Sequence, residues 1–336
     1  MPELDATAPT SDGEELSTMG ALAAHPLLKS MLRVGRVVVF VAVLVMICYA
    51  AAVEWSAVRN TIRALSLKSI VAAALAIVFG MFASVRVWQE LLASMGTRVR
   101  YRAAAQVNLV GQLGKYLPGS VWAFVLQAQL GKRYEIPRAR ALTTLLLSAG
   151  TTSVTALTLA VLAVEPLSKK WGAAAWLLLV GPLSLIAIVP PVLTRIANLA
   201  LRILRRPQLT RNLISSHVLK AVGWSFVSWL FFGLHLWLLT GSLAKQSMTG
   251  FVICTGAYAL AMSAGFLAFV LPSGVGVREA VIVGGLAPLA ASGPALAIAL
   301  TSRLLFTVAD VTTALVAILF ARLSAQRHNV AHNVDH

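Results

Sequence analysis

The sequence predicts an all-α polytopic membrane protein, with about six full transmembrane helices and two re-entrant helical hairpins in an inverted-topology repeat. Three observations predict this class. Hydrophobic residues make up 58% of the 336-residue chain and charged residues only 12%, whereas ordinary soluble domains are roughly 25% charged. The mean hydropathy is +0.82. The apolar residues are grouped in long runs, and a helix needs about 20 of them to cross a bilayer core of about 30 Å. A soluble enzyme is therefore excluded.

The N-terminal segment differs from the rest of the chain. Residues 1–28 hold five of the twelve acidic residues and no Lys or Arg, a composition typical of a disordered tail. A cleaved signal peptide needs basic residues at this place, so we expect the first apolar run to be an uncleaved anchor. The sequence thus predicts a cytoplasmic tail over 1–28, one transmembrane domain over 29–322 and a second cytoplasmic tail over 323–336.

Six apolar runs are long enough to cross the bilayer as helices. They are residues 36–55, 69–93, 139–164, 172–195, 217–240 and 295–321. Two further apolar segments, 103–131 and 249–291, are interrupted by glycine and proline. The first leaves two arms of about ten residues each, and the second has an arm of about 18 residues after its break, so both are predicted to be re-entrant hairpins that line a cavity. Eight spans, with 249–291 crossing twice, remain the alternative.

The charge of the chain predicts its orientation. Its net charge is +16, but the basic residues lie in short clusters between the apolar runs, so we expect anionic lipid rather than nucleic acid as the partner. Eighteen of the 28 Lys and Arg residues fall on the side that holds both termini, which is then cytoplasmic. The two cysteines lie in separate apolar runs, and the sequence predicts no disulfide, metal or cofactor.

An internal repeat supports this topology. The segment LPGSV at 117–121 is echoed by LPSGV at 271–275, and ALTTLL at 141–146 by ALTSRL at 299–304. The predicted halves, 69–164 and 217–321, each consist of a span, a hairpin and a span. Inverted repeats place a substrate site near the bilayer midplane, where the broken helices meet.

Ionisable residues at membrane depth are the first candidates for function, because a charge at the bilayer centre costs at least roughly 2.5 kcal/mol. Lys115 lies at the tip of the first hairpin, where it and nearby backbone N–H groups can bind a phosphate; a snorkelling lysine is the alternative. Arg278 lies near a helix N-terminus, where a cation needs a partner or a ligand. A lipid phosphate and a structural ion pair both remain open for Arg278. The adjacent Glu279 points about 100° away and is expected to have another partner.

Two charged residues share a face of the last span. Arg303 and Asp310 are seven residues apart and are expected to form a network with Arg278 or Glu279. Asp310, near the middle of the span, is either a proton-coupling carboxylate or a static counter-ion.

Four residues are secondary candidates. Arg86 and Glu90, an i, i+4 pair near the cytoplasmic end of the second span, are expected to bond to each other as a structural pair that reaches the interface, with a functional role as the alternative. Thr151 and Thr155 lie on a threonine stripe, which predicts either a polar groove for a headgroup or hydroxyls that bond back to their own helix.

Two motifs carry a family resemblance. GKYLPGSVW at 114–122 and, later, LPSGVGVREA at 271–280 are similar to the lysylphosphatidylglycerol synthase transmembrane-region family, and the resemblance covers roughly 35–322. It implies a protein of the bacterial or archaeal cytoplasmic membrane that moves anionic or aminoacylated lipids, or polyprenyl-phosphate-linked sugars, between leaflets. Ser273-Gly274 stands where the family often has Gly-Gly. The chain ends at 336 without an aminoacyl-transferase domain, so synthase activity is not expected.

The expected function is therefore a flippase-like translocase for an anionic lipid, such as a polyprenyl-phosphate-linked lipid or a modified phospholipid. An accessory protein that presents a lipid carrier to a membrane glycosyltransferase is the alternative. A transferase acting on a polyprenyl phosphate is disfavoured, since paired carboxylates and an activated nucleophile are lacking. The predicted substrate site comprises Lys115, Tyr116, Pro118, Gly119, Ser120, Arg278, Glu279, Arg303 and Asp310.

Overall fold

The computed structural model describes residues 52, 55–116, 122–161, 183–203, 208–209, 212–241, 245–267 and 274–334. Within these residues every regular element is helical, and five helices are long and apolar enough to cross a membrane. The predicted class, an all-α polytopic membrane protein, is confirmed. The α-helices are α1 Trp55–Ala64, α2 Leu67–Ser94, α3 Tyr101–Ala105, α4 Trp122–Lys132, α5 Arg138–Ala160, α6 Pro190–Ile203, α7 Ser215–Thr240, α8 Met248–Leu267, α9 Val277–Gly285 and α10 Ser292–Val334.

Four of the five spanning helices were predicted from the apolar runs. Helices α2, α5, α7 and the Ser292–Ala321 part of α10 correspond to the predicted runs that begin at 69, 139, 217 and 295. The predicted tail 1–28 and nearly all of the predicted span 36–55 lie outside the described residues.

The predicted span 172–195 does not continue as one helix to its expected end. Its described part contains a 3-10 turn at Leu185–Ile188, and α6 then begins at Pro190. Val189 between them has an extended ψ of 125°. Because a residue before proline is disfavoured in the α region, Pro190 ends one element and begins the next.

The first hairpin has two short arms, as predicted. Its first arm joins α3, a π-helical segment at Gln106–Val110 and a 3-10 turn at Leu113–Tyr116, and its second arm is α4. The arms touch at Gly114, where a Cβ atom would lie 2.3 Å from the backbone nitrogen of Ala123. Only glycine permits this approach. The tip at 117–121 lies outside the described residues, and with it the candidates Pro118, Gly119 and Ser120.

The second hairpin differs from its prediction in the length of its second arm. Helix α8, with 20 residues, is long enough to span the membrane, whereas α9 has nine residues instead of the expected 18 or so. The last two residues of α9, Gly284 and Gly285, and Pro288 three residues beyond it account for its early end. The arms meet where Gly274, with φ of +65°, approaches Gly265; a Cβ atom on Gly274 would lie 2.7 Å from the Gly265 Cα atom.

The pair α2 and α7 forms the centre of the bundle, and the two helices run antiparallel. The Ile214 N–H before α7 donates to the Ser94 carbonyl at the end of α2, at 3.1 Å. Further along, the Ser228 hydroxyl donates to the Gly80 carbonyl at 2.9 Å. These helices are the first spans of the two predicted repeat halves, and an inverted-topology repeat requires them to run in opposite directions. The repeat symmetry itself stays a prediction.

Several basic loops gather at one end of the bundle. Arg140 at the start of α5 donates to the Thr97 hydroxyl just after α2, so the exposed basic residues around 98–102 and 132–140 lie together. The contact of Ile214 with Ser94 adds the loop before α7 to the same end. This clustering agrees with the orientation expected from the positive-inside rule.

Candidate functional site

The tip of the first hairpin is tied to the last long helix by one carboxylate. Asp310 of α10 accepts from the Lys115 ammonium at 2.5 Å and from the Tyr116 hydroxyl at 2.6 Å, both on Oδ2. Asp310 is buried, but the Lys115 side chain keeps 32% of its surface exposed. The ammonium also lies 5.3 Å from the centroid of the Tyr116 ring. The charge of Lys115 is therefore balanced by Asp310 in this conformation, and yet the side chain is accessible.

A second ion pair holds the second hairpin to α10. The Glu279 carboxylate accepts from Arg303 through Oε1 and from the backbone N–H of Gly276, at 2.6 Å, through Oε2. The latter bond caps the N-terminus of α9, where a negative charge is favourable. The partner expected for Glu279 is thus Arg303, and both carboxylate oxygens are used in positioning α9.

Arg278 is the cation of this region that lacks a carboxylate. Its guanidinium donates to the Tyr258 hydroxyl of α8 at 3.1 Å, and in the described part of the chain no carboxylate oxygen lies within 4.0 Å of it. It lies at the N-terminal turn of α9, where the helix dipole disfavours a positive charge. A guanidinium has five N–H donors, so Arg278 retains capacity for an anion.

These groups form one electrostatic cluster. The charges of Arg278 and Arg303 act on Lys115, and the Tyr258 hydroxyl interacts with Asp310. Among the described residues the cluster holds three cations and two carboxylates, which leaves one positive charge uncompensated. Because an uncompensated charge away from water costs several kcal/mol, the cluster favours the binding of one anion. The structure thus brings together the predicted residues Lys115, Tyr116, Arg278, Glu279, Arg303 and Asp310.

Sequence reasoning missed the polar residues beneath this cluster. Tyr258 and His235 are fully buried, and the His235 ring lies edge-on to Tyr258 with centroids 4.8 Å apart. His235 Nε2 bonds with the Ser302 hydroxyl at 2.8 Å. Tyr258 also stacks on Phe306, with centroids 5.4 Å apart. The available signal was a single histidine or tyrosine in the middle of an apolar run, which a search restricted to formal charges overlooks.

The predicted pairing of Arg86 with Glu90 is corrected by the structure. Arg86 donates to Gln89 at 2.9 Å and lies 4.5 Å from the Tyr101 ring centroid, while Glu90 bonds to His217 of α7 at 2.6 Å. The expected i, i+4 bond between them is wrong, because each side chain reaches a neighbour on another element or another turn. His217 was also missed.

The threonine stripe faces another helix. The Thr155 hydroxyl donates to the Thr151 carbonyl at 2.9 Å and bonds with Ser225 of α7 at 2.6 Å. Thr151 is fully buried, and its hydroxyl has no hydrogen-bond partner among the residues that the structure describes. Both residues therefore lie in packed protein, and the back-bonding alternative describes Thr155.

Fold and site together define a class. Long apolar helices, two helical hairpins and a charged cluster between the hairpins and α10 are typical of polytopic helical membrane proteins. A comparison with sequence models of protein families matches residues 33–324 to the lysylphosphatidylglycerol synthase TM region. The chain belongs to this family, which represents the membrane-embedded, flippase-like part and not the catalytic part of such proteins. A search of curated proteins found no match.

Proposed function

We propose that the protein moves an anionic membrane lipid between the two leaflets. The lipid carries a phosphate, as in a polyprenyl-phosphate-linked lipid or a modified phospholipid. The observation that carries the proposal is the net positive cluster, in which Arg278 lacks a carboxylate and Lys115 is accessible. Membership of a family with a lipid-related, flippase-like role supports it.

The contacts suggest how the headgroup enters. Asp310 occupies the positions on Lys115 and Tyr116 that a phosphate oxygen would take, since both groups donate to Oδ2. A phosphate that bridges Arg278 and Lys115 would replace this carboxylate and release the first hairpin from α10. Arg303, held by Glu279, adds positive charge without moving. The hydrophobic chains stay in the bilayer while the released first hairpin moves relative to the second, which holds the headgroup.

The protein is proposed to lie in the cytoplasmic membrane with both termini inside. The gathering of the basic loops around Thr97, Arg140 and Ile214 at one end of the bundle supports this orientation. The first hairpin then enters from the cytoplasmic side, because the start of α3 and the end of α4 both lie next to the basic loops. The surface potential of anionic lipid favours the same arrangement.

A vesicle assay tests the proposal. Purified protein is reconstituted with headgroup-labelled fluorescent phosphatidylglycerol or, in a second arm, a labelled polyprenyl-phosphate sugar, and a membrane-impermeant quencher reports the fraction that crosses. We expect wild type to move at least one of them and Arg278→Gln to slow that movement about a hundredfold, the loss of a charge-assisted contact. The matched control is Arg140→Gln, which removes the same charge from the exposed basic end.

Two results would contradict the proposal, the first its translocation step and the second its site. If neither lipid moves with wild type although one binds, the alternative of a protein that presents a lipid carrier to a glycosyltransferase becomes the better account. If the lipid moves equally fast with Arg278→Gln, the cluster is not the site.

A further inference from the structure

A cleft lies outside the charged cluster, on the surface of the bundle where α2 and α7 pack. An open cleft of about 340 Å³ runs between these helices. Its lining is aromatic, with Phe79 and Phe82 from α2, Trp224 and Phe231 from α7, and Tyr101 from α3. Arg86 is the charged residue of this lining.

The aromatic walls are ordered by contacts with each other. Phe79 and Phe231 stack with ring centroids 5.7 Å apart. The Tyr101 hydroxyl donates to the Phe82 carbonyl at 3.0 Å, which fixes the start of the first hairpin against α2. Phe79 is 55% exposed and Trp224 38% exposed, so the aromatic lining of the cleft is open at the surface of the bundle.

Arg86 is held in place with donors to spare. Its guanidinium lies over the Tyr101 ring and donates to Gln89, whose amide in turn donates to the Val99 carbonyl at 2.8 Å. Within the described residues no carboxylate lies within 4.0 Å of Arg86, because Glu90 is engaged by His217. The cleft therefore presents one positioned, uncompensated cation at the end of an apolar surface.

The dimensions match one leaflet. Helix α2 has 28 residues and is about 42 Å long, some 12 Å more than the hydrocarbon core of about 30 Å. When α2 is centred in the bilayer, the Arg86 backbone lies about 7 Å inside the boundary, within reach of a snorkelling side chain. From Arg86 to Phe79 the cleft extends about 10 Å along α2, so its deep end lies about 2 Å beyond the midplane and the cleft reaches through the inner part of one leaflet. This depth suits an ordinary acyl chain.

We infer that this cleft binds one anionic phospholipid, with its phosphate on Arg86 and one acyl chain along Phe79, Phe82 and Trp224. The site is separate from the Lys115 and Arg278 cluster, and it stands on geometry and charge complementarity that do not depend on translocation. The positive charge of Arg86 favours an anionic headgroup, and the aromatic walls favour contact with an acyl chain.

Quenching of Trp224 fluorescence tests the inference. The full-length protein is reconstituted in vesicles of phosphatidylcholine and phosphatidylglycerol, with bromine on the acyl chains of one lipid and then of the other. The difference between wild type and Trp224→Phe isolates the signal of Trp224 from the other tryptophans. Arg86→Gln is measured in both backgrounds, with Arg140→Gln as the control that removes an exposed arginine at the same end of the bundle.

The expected result is that brominated phosphatidylglycerol quenches Trp224 in preference to brominated phosphatidylcholine in wild type and in Arg140→Gln. The preference falls about tenfold in Arg86→Gln, and Arg86→Lys retains part of it. Equal quenching by the two lipids in wild type would mean ordinary boundary lipid and would overturn the inference. Absence of quenching by either lipid would mean that another protein surface covers the cleft, and would overturn it as well.

Discussion

The two hairpins use charge in opposite ways. In the first, the charge of Lys115 is balanced by an ion pair with Asp310 of another helix, and an incoming anion can replace this carboxylate. In the second, the Glu279 carboxylate accepts from both the Gly276 N–H and Arg303. Arg278 is therefore left without a carboxylate partner among the described residues. The comparison indicates a division of roles. The second hairpin is the fixed receptor for an anion, and the first is the part that an anion releases.

The largest expected effect on stability is in the fixed hairpin. Glu279→Gln leaves Arg303 unpaired in a mostly buried position and weakens the cap of α9, at a cost of about 3 kcal/mol in the free energy of unfolding. Unfolding in mixed micelles measures this change. The control is Glu135→Gln, since Glu135 is exposed. An equally small effect of both substitutions would remove the distinction between the hairpins.

A difference between the two cations sharpens the comparison. Arg278→Gln is expected to weaken binding of the anionic lipid by about a hundredfold, whereas Lys115→Gln weakens it by about tenfold. The lysine matters less because its charge is already compensated by Asp310 before the lipid arrives. Lipid retention in native mass spectrometry, titrated with added lipid, gives both values. The reverse order would place the receptor in the first hairpin.

The exchangeable contact is tested by Asp310→Asn. Removing this carboxylate frees Lys115 and Tyr116, so the lipid phosphate no longer competes and its affinity rises by about fivefold, or roughly 1 kcal/mol. Movement of the lipid between leaflets is expected to slow, because the headgroup has no internal replacement when it leaves. Weaker binding in Asp310→Asn would show that the carboxylate belongs to a structural pair only.

The smallest expected effect concerns Tyr258. Tyr258→Phe removes the hydroxyl that accepts from Arg278 but retains the stacking on Phe306. We expect a loss of lipid affinity of about threefold, because one hydrogen bond is lost and Arg278 finds other partners for that donor. The free energy of unfolding should stay within about 1 kcal/mol of wild type. A loss as large as that of Arg278→Gln would make Tyr258 a direct ligand.

The sequence predicted those parts of the fold that depend on local hydrophobicity. Helices α2, α5, α7 and α10 follow from apolar runs of sufficient length, because burial in lipid imposes that length. The span-length α8 was predicted as a hairpin arm because the Pro272 break after it resembles the break of the first hairpin. Pattern alone does not tell how far a helix extends before such a break.

The pairing within the site required the structure. Charge at membrane depth identified Lys115, Arg278 and Asp310 as candidates, since such residues are rarely placed there without a role. Their partners could not be predicted, because Lys115 and Asp310 are brought together only by the packing of the first hairpin against α10. The partner of Glu90 also required the structure, because the packing of α7 on α2 brings His217, and not the expected Arg86, into contact with it.

The most direct test of the central claim, that both hairpins bind one phosphate, is a double-mutant cycle in lipid affinity with Lys115→Gln, Arg278→Gln and the double variant. If one phosphate bridges the two cations, the losses are not additive, and the coupling free energy is about 1 kcal/mol or more. If the losses add to within about 0.5 kcal/mol, the two cations do not share a ligand, and the account is contradicted.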